Sequence, residues 1–176
     1  MNIIIIILLV LAGIIALLLI IALFMKREHY VNRAIIINAP LQKVFDYVKL
    51  LKNQETFNKH AMVDADRKKE SKGTDGTVGY IYSWSGDKNA GEGEKEIKNI
   101  IEGKRIETEI CFVKPMRTSA IVIMETESLS DNQTKVSWSN AGTLKYPINI
   151  FVPMLEKKLP KEMDSSLSTL KNILEK

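Results

Sequence analysis

The run from Ile3 to Met25 contains no charged residue and no proline. At about 1.5 Å of rise per residue, a helix of that length crosses a hydrocarbon core of about 30 Å. A cleaved signal peptide would instead need a basic leading region, a shorter apolar core and a small-residue cleavage site. Here Asn2 precedes the run and Leu23-Phe24-Met25 closes it. The segment 1–26 is therefore expected to be an uncleaved, single-pass transmembrane anchor, leaving 27–176 as one domain. Lys26, Arg27 and Arg33 follow the run directly, and such a bias of basic residues places that domain on the cytoplasmic side. Ala12 and Ala16 form one small-xxx-small pair, a spacing too common to argue for helix association.

The rest of the chain excludes several classes. The net charge is +4, with Lys and Arg interspersed among Asp and Glu. No basic block with interleaved aromatics exists, so nucleic acid is not an expected partner. Cys111 is the only cysteine, which rules out an intramolecular disulfide and a cysteine-built metal cluster, and fits a reducing compartment.

The order of elements is readable from periodicity. Tyr30 to Asn38 is a β-branched run stopped by Asn38-Ala39-Pro40, which predicts a strand. Pro40 suits a helix start, and Val44, Phe45, Val48 and Leu51 recur at helical spacing, giving a helix to about Asn53. Gln54 to Gly76 carries no sustained period and reads as a loop with room for a short strand or helical turn. From Thr77 the period becomes two. Val78, Tyr80, Tyr82 and Trp84 share one face of a strand, Ile97 and Ile101 mark the next, and Ile106, Thr108, Ile110 and Phe112 a third that Lys114-Pro115 ends. Ala120, Val122 and Met124 mark a fourth, Ser130-Asp131-Asn132 a turn, and Val136 and Trp138 a fifth. After Tyr146-Pro147 the spacing is helical again, punctuated by Pro153 and Pro160, with Leu167, Leu170, Ile173 and Leu174 as an apolar stripe. These features predict an α+β domain in which an antiparallel meander buries its apolar face against a long carboxy-terminal helix.

That order, with Tyr82-Ser83-Trp84-Ser85-Gly86-Asp87, Gly91-Glu92-Gly93-Glu94, Ile97, Phe112-Val113-Lys114-Pro115 and Thr134-Lys135-Val136-Ser137-Trp138, resembles the START-like SRPBCC superfamily near its polyketide cyclase/dehydrase branch. Ile37-Asn38-Ala39-Pro40 followed by Val44-Phe45 is similar to that family's opening strand and helix. The resemblance covers nearly all of residues 30–176. It implies a helix-grip fold, a curved antiparallel sheet wrapped around the final helix with an apolar cavity between them.

Candidates for chemistry are few. The glycines of Trp84–Ile97 are not a phosphate loop, which would need Lys and Ser or Thr directly after a glycine; Glu92 and Glu94 stand there instead and would repel an anion. They are expected to supply positive φ in a hairpin, with Gly93 allowing a bulge. His29 and His60 lack partners at metal-ligand spacing and are expected at the surface, so no metal or cofactor is assigned. Glu107 with Glu109, and Glu125 with Glu127, fall opposite the apolar face, where carboxylates are solvated. Cys111 shares that side and has no neighbouring histidine to activate it. No G-x-S-x-G nucleophile pattern occurs.

The inward-facing set differs. Tyr80, Tyr82, Trp84, Thr108, Ile110, Phe112, Met124, Trp138 and Asn140 are candidate cavity residues, with Tyr82, Thr108 and Asn140 as polar groups able to orient a ligand; a solid core is the competing reading. The expected function is a membrane-anchored module binding an apolar or amphipathic small molecule such as a lipid, isoprenoid or polyketide-like compound. The alternatives are a cyclase or dehydratase using the same cavity, and a non-catalytic regulatory domain contacting a protein at the membrane. No inward His, Asp or Glu is apparent in the sequence to support catalysis.

Overall fold

The computed structural model describes residues 2–59, 68–86 and 91–176; His60 and Asp87 lie outside them. Helix α1 spans Ile3–Phe24 and is exposed throughout except at Ala22. It is the one helix among the described residues long and apolar enough to cross a membrane. Its terminus is held by the domain. The side-chain amide of Asn149 donates to the carbonyls of Ala22 at 2.6 Å and Met25 at 3.0 Å, groups that a helix end otherwise leaves without partners. Replacing Asn149 by Leu removes both donors. Trypsin cleavage after Lys26 and Arg27 is expected to accelerate at least fivefold, with the thermal unfolding of the domain little changed; an unaltered digestion rate would show that the amide does not hold α1.

The remaining elements are β1 (Glu28–Ile37), α2 (Leu41–Lys49), α3 (Leu51–Phe57), β2 (Lys68–Lys72), β3 (Ile81–Ser85), β4 (Glu92–Ile101), β5 (Arg105–Lys114), β6 (Thr118–Ser130), β7 (Gln133–Thr143), a short 3-10 turn (Ile148–Phe151) and α4 (Val152–Leu174). The strands form one seven-stranded antiparallel sheet in the order β1-β7-β6-β5-β4-β3-β2. Alternation divides each strand into an inner and an outer face. Val31, Ile37, Ile106, Val122, Met124, Val136 and Trp138 from the inner face pack with Val44, Phe45 and Val48 of α2 and with Leu159, Met163, Leu167, Leu170 and Leu174 of α4. Helix α4 runs through Pro160 without interruption, although a proline there leaves the Glu156 carbonyl without its usual donor.

Four expectations need correction. The helix predicted to reach Asn53 breaks at Leu50, which is extended (φ −84°, ψ 117°), and a second helix, α3, carries on to Phe57; β2 is the short strand for which the loop reading of the next stretch left room. The break is held from a distance: the Asp75 carboxylate accepts from the backbone N–H of Leu51 at 2.8 Å and of Lys52 at 3.1 Å, capping α3 from 24 residues downstream. Val78 lies before β3 and is 61% exposed, because Gly79 turns the chain at φ +84°. Ile101 points outward because a bulge between Ile97 and Asn99 reverses the parity of β4, and Ile100 packs inside instead. Gly93 does sit at a register shift, but positive φ belongs to Gly91, at +65°, whose carbonyl accepts from Gly86 N–H at 2.9 Å to close the hairpin. What excludes a side chain at Gly93 is space: a Cβ there would lie 2.6 Å from Trp84 and 2.7 Å from the Cys111 carbonyl.

Candidate functional site

The strand register builds the site as a lane across the inner face. His29, Gly142, Ala120, Ile110, Lys95 and Tyr82 stand opposite one another on β1, β7, β6, β5, β4 and β3. At about 4.8 Å per strand, the stretch from His29 to Lys95 is about 19 Å. Gly142 and Ala120, the two members next to His29, carry the least side chain of the inward set, and the His29 ring covers Gly142, its Cε1 2.7 Å from where a Cβ would stand.

At the α1 end of the sheet is an open groove of about 830 Å³, lined mostly from the outer face by Glu28, Tyr30, Glu109, Ser119, Ile121, Ala141 and Thr143, with His29, Ala120 and Gly142 from the inner positions and Lys26, Lys145 and Glu156 at its charged rim. Its volume falls in the range of small-molecule sites. Lys26 and Glu156 are ion-paired at 2.7 Å, tying the first residues after α1 to α4. None of the inward residues singled out from the sequence lines this groove.

The structure distributes those residues over several places. Met124 and Trp138 lie in the main core, Trp138 meeting Phe57 edge to face at 6.3 Å. Tyr80 is buried in a second cluster with Leu51, Tyr82 and Ile97. Trp84 and Phe112 meet edge to face at 5.8 Å near the hairpin, where Phe112 is 40% exposed. Tyr82 and Ile110 belong to the lane. Thr108 donates to the Val122 carbonyl at 3.3 Å, which occupies its hydroxyl within the sheet. Asn140 Oδ1 lies 2.9 Å from His29 Nε2. His29 is thus not at the surface: its position on β1 faces inward and its ring is buried.

The residue that sequence reasoning missed is Lys95. Its strand places it inward between Gly93 and Ile97, and it is only 8% exposed. The parity was available in the sequence, since Gly93, Lys95 and Ile97 alternate on one face. The Lys95 ammonium donates to the Gln54 side-chain carbonyl oxygen, and the Gln54 amide in turn donates to the Val48 carbonyl at 2.9 Å. Burial lowers the Lys95 pKa from 10.5 to about 8, with Asp75 acting weakly against the shift. Opposite it, the Tyr82 hydroxyl donates to Glu55. Ion pairs occupy the carboxylates of the outer face: Glu109 meets Lys98 at 3.2 Å, Glu107 meets Arg105 at 2.9 Å, and Glu127 meets Lys135 at 3.5 Å. The Cys111 thiol is pushed up by burial and then by Glu109 and Glu94, opposite to what a nucleophilic thiolate requires. Among the described residues no group of His, Cys, Asp and Glu could hold a metal ion.

No family model matches the sequence, and the comparison with characterised proteins finds no match. Solved structures do match in fold. A protein of Mesorhizobium loti aligns with a TM-score of 0.62 at 13% identity, covering 83% of this chain and 96% of its own. Norcoclaurine synthase from Thalictrum flavum, solved in complex with dopamine and hydroxybenzaldehyde, aligns with a TM-score of 0.62 at 11% identity, covering 88% and 90%. Ara h 8.0201 aligns with a TM-score of 0.58 at 13% identity, covering 84% and 97%. At these identities the likeness is one of fold, and the fold is the α+β helix-grip arrangement, a curved antiparallel sheet around a long carboxy-terminal helix.

Proposed function

We propose that this protein is a membrane-anchored helix-grip module that takes an apolar or amphipathic small molecule into the groove beside α1. The observation that carries the reading is the position of that groove. It opens where the chain leaves the apolar helix, and Asn149 and the Lys26–Glu156 pair hold the helix end against the same part of the domain. A ligand reservoir next to the opening raises the effective concentration of anything that partitions into a bilayer. Norcoclaurine synthase, with small aromatic ligands bound, supports the view that this fold accommodates such molecules. The basic residues after α1 favour a cytoplasmic domain.

The test uses the full-length chain in phosphatidylcholine nanodiscs and a hexadecanol bearing a photoactivatable diazirine. Adducts are expected on His29, Tyr30 and the Ser119–Ile121 segment as well as on α1. Ala120→Trp, which fills the groove, should lower the domain adducts at least fivefold and leave those on α1 unchanged. Adducts confined to α1 in the unmutated chain would overturn the reading.

A further inference from the structure

We propose that the end of the domain beside α1 is a second membrane contact: Met116, Tyr146, Phe151 and Met154 enter the interface of a bilayer carrying anionic phospholipid, and Arg117, Lys145 and Lys157 meet its headgroups. This rests on α1 as an anchor, as the proposed function does, and adds the surface that turns the groove toward the lipid. The strand register brings two loops to the level of the anchor. Leu144 N–H donates to the Arg27 carbonyl at 2.8 Å, so the pairing of β1 with β7 runs up to the end of α1. Counting outward from Glu28 opposite Thr143 and from Gly142 opposite Ala120, Lys26, Lys145 and Arg117 stand in one row. The next row out holds Met25, Tyr146 and Met116. Cations therefore lie on the sheet side and apolar side chains on the α1 side, the order that headgroups over hydrocarbon require.

The start of α4 completes the surface. Asn149 holds the carbonyls of Ala22 and Met25, which pins the turn Ile148–Phe151 against the end of the apolar run. The headgroup layer on each side of a bilayer is about 6 Å thick, so a side chain two residues from Asn149 lies within its reach once α1 spans. Phe151 and Met154 stand there exposed, Met154 by 59%, while Val152 between them is buried. Large apolar side chains gathered at one end of a domain mark an interaction site, and at the level of an anchor the surface already present is lipid. The charges fit an anionic one. Glu92 is paired with Lys114 and Glu156 with Lys26, both at 2.7 Å, whereas among the described residues no carboxylate pairs with Arg117, Lys145 or Lys157. Each cation held at an anionic surface strengthens the contact about fivefold.

The test places a nitroxide on single cysteines of the full-length chain in a Cys111→Ser background, one chain per nanodisc, in phosphatidylcholine with and without phosphatidylserine. The labelled variants are Leu11→Cys within α1, Met116→Cys, Met154→Cys, and Leu129→Cys, which is exposed at the far end of β6. Collision with a neutral, water-soluble nickel chelate, read by power saturation, reports the contact of each label with water. With phosphatidylserine present, the labels at Met116 and Met154 are expected to meet the chelate about fivefold less often than the label at Leu129. Arg117→Gln, Lys145→Gln and Lys157→Gln together should abolish that difference and leave the label at Leu11 shielded. Labels at Met116 and Met154 as accessible as that at Leu129, with Leu11 shielded, would overturn the second contact and leave the proposed function standing. An accessible label at Leu11 would overturn both. Shielding found only in discs holding two chains would mean a contact between copies, and shielding unchanged by the three glutamines would overturn the assignment of the cations.

Discussion

Gly93→Val is expected to destabilise the domain by about 3 kcal/mol or more and to lower its melting temperature by about 10 °C or more. The backbone at Gly93 has no unusual φ, so the penalty is one of volume. The first carbon of any side chain would meet Trp84 Cζ2 at 2.6 Å, the Cys111 carbonyl oxygen at 2.7 Å and Trp84 Cη2 at 2.9 Å. Two of these atoms belong to an indole wedged against Phe112, and the third is backbone of the neighbouring strand, so neither side can yield cheaply. Circular dichroism through a thermal ramp checks this. A variant that melts within a few degrees of the unmutated chain would mean that the Trp84 indole moves freely and does not pack on β4.

Lys95→Met is expected to do the reverse and stabilise the fold by about 2 kcal/mol at pH 7. An amine whose pKa falls from 10.5 to about 8 on folding weakens the folded state by about 3 kcal/mol when it is charged in both states. Loss of the hydrogen bond to Gln54 offsets about 1 kcal/mol of the gain. The sign with pH follows from the direction of the shift. Below pH 8 the lysine is protonated in both states and the full penalty stands. Between pH 8 and 10.5 the folded protein holds fewer protons than the unfolded one, so the unmutated chain gains stability as pH rises and the advantage of the methionine shrinks. Denaturation of both chains at pH 7 and pH 9.5 measures this. A methionine variant less stable than the unmutated chain at pH 7 would show that the lysine is retained for its bond to Gln54. A gain in stability would indicate a residue kept at a cost to the fold, as binding groups are.

Most of the architecture was legible because strands and amphipathic helices declare themselves through period. The meander, the turn before Gln133 and the apolar stripe of α4 all come from local alternation. What escaped was set by distant or sub-period events. The corner between α2 and α3 depends on Asp75, and no local pattern around Leu50 announces it. One extra residue in the bulge after Ile97 was enough to turn Ile101 outward. The site was less legible than the fold for the same reason. Candidates chosen as large apolar side chains on the inward face, such as Met124 and Trp138, went into the core, whereas the lane is made by register, with glycine and alanine next to His29 and a lysine before Tyr82. Small residues on an apolar face attract little attention in a sequence, and a lysine among Glu92, Glu94 and Glu96 reads as one more surface charge. Its alternation with Ile97 was the one local sign of its side, and the pairing of β4 with β3 and β5 places it inward.

The pairing of β1 with β7 governs how the chain is made. Glu28–Ile37 leaves the ribosome directly after α1, yet its partner Gln133–Thr143 is the last strand to emerge. Through most of synthesis the Ile35-Ile36-Ile37 segment is therefore a β-branched strand without a neighbour, the kind of edge that pairs with other chains. Contacts this far apart in sequence also form slowly. A chain interrupted anywhere before Thr143 keeps that edge open, so nascent and truncated copies are the species most prone to associate, and complete synthesis of the seventh strand is the event that closes it.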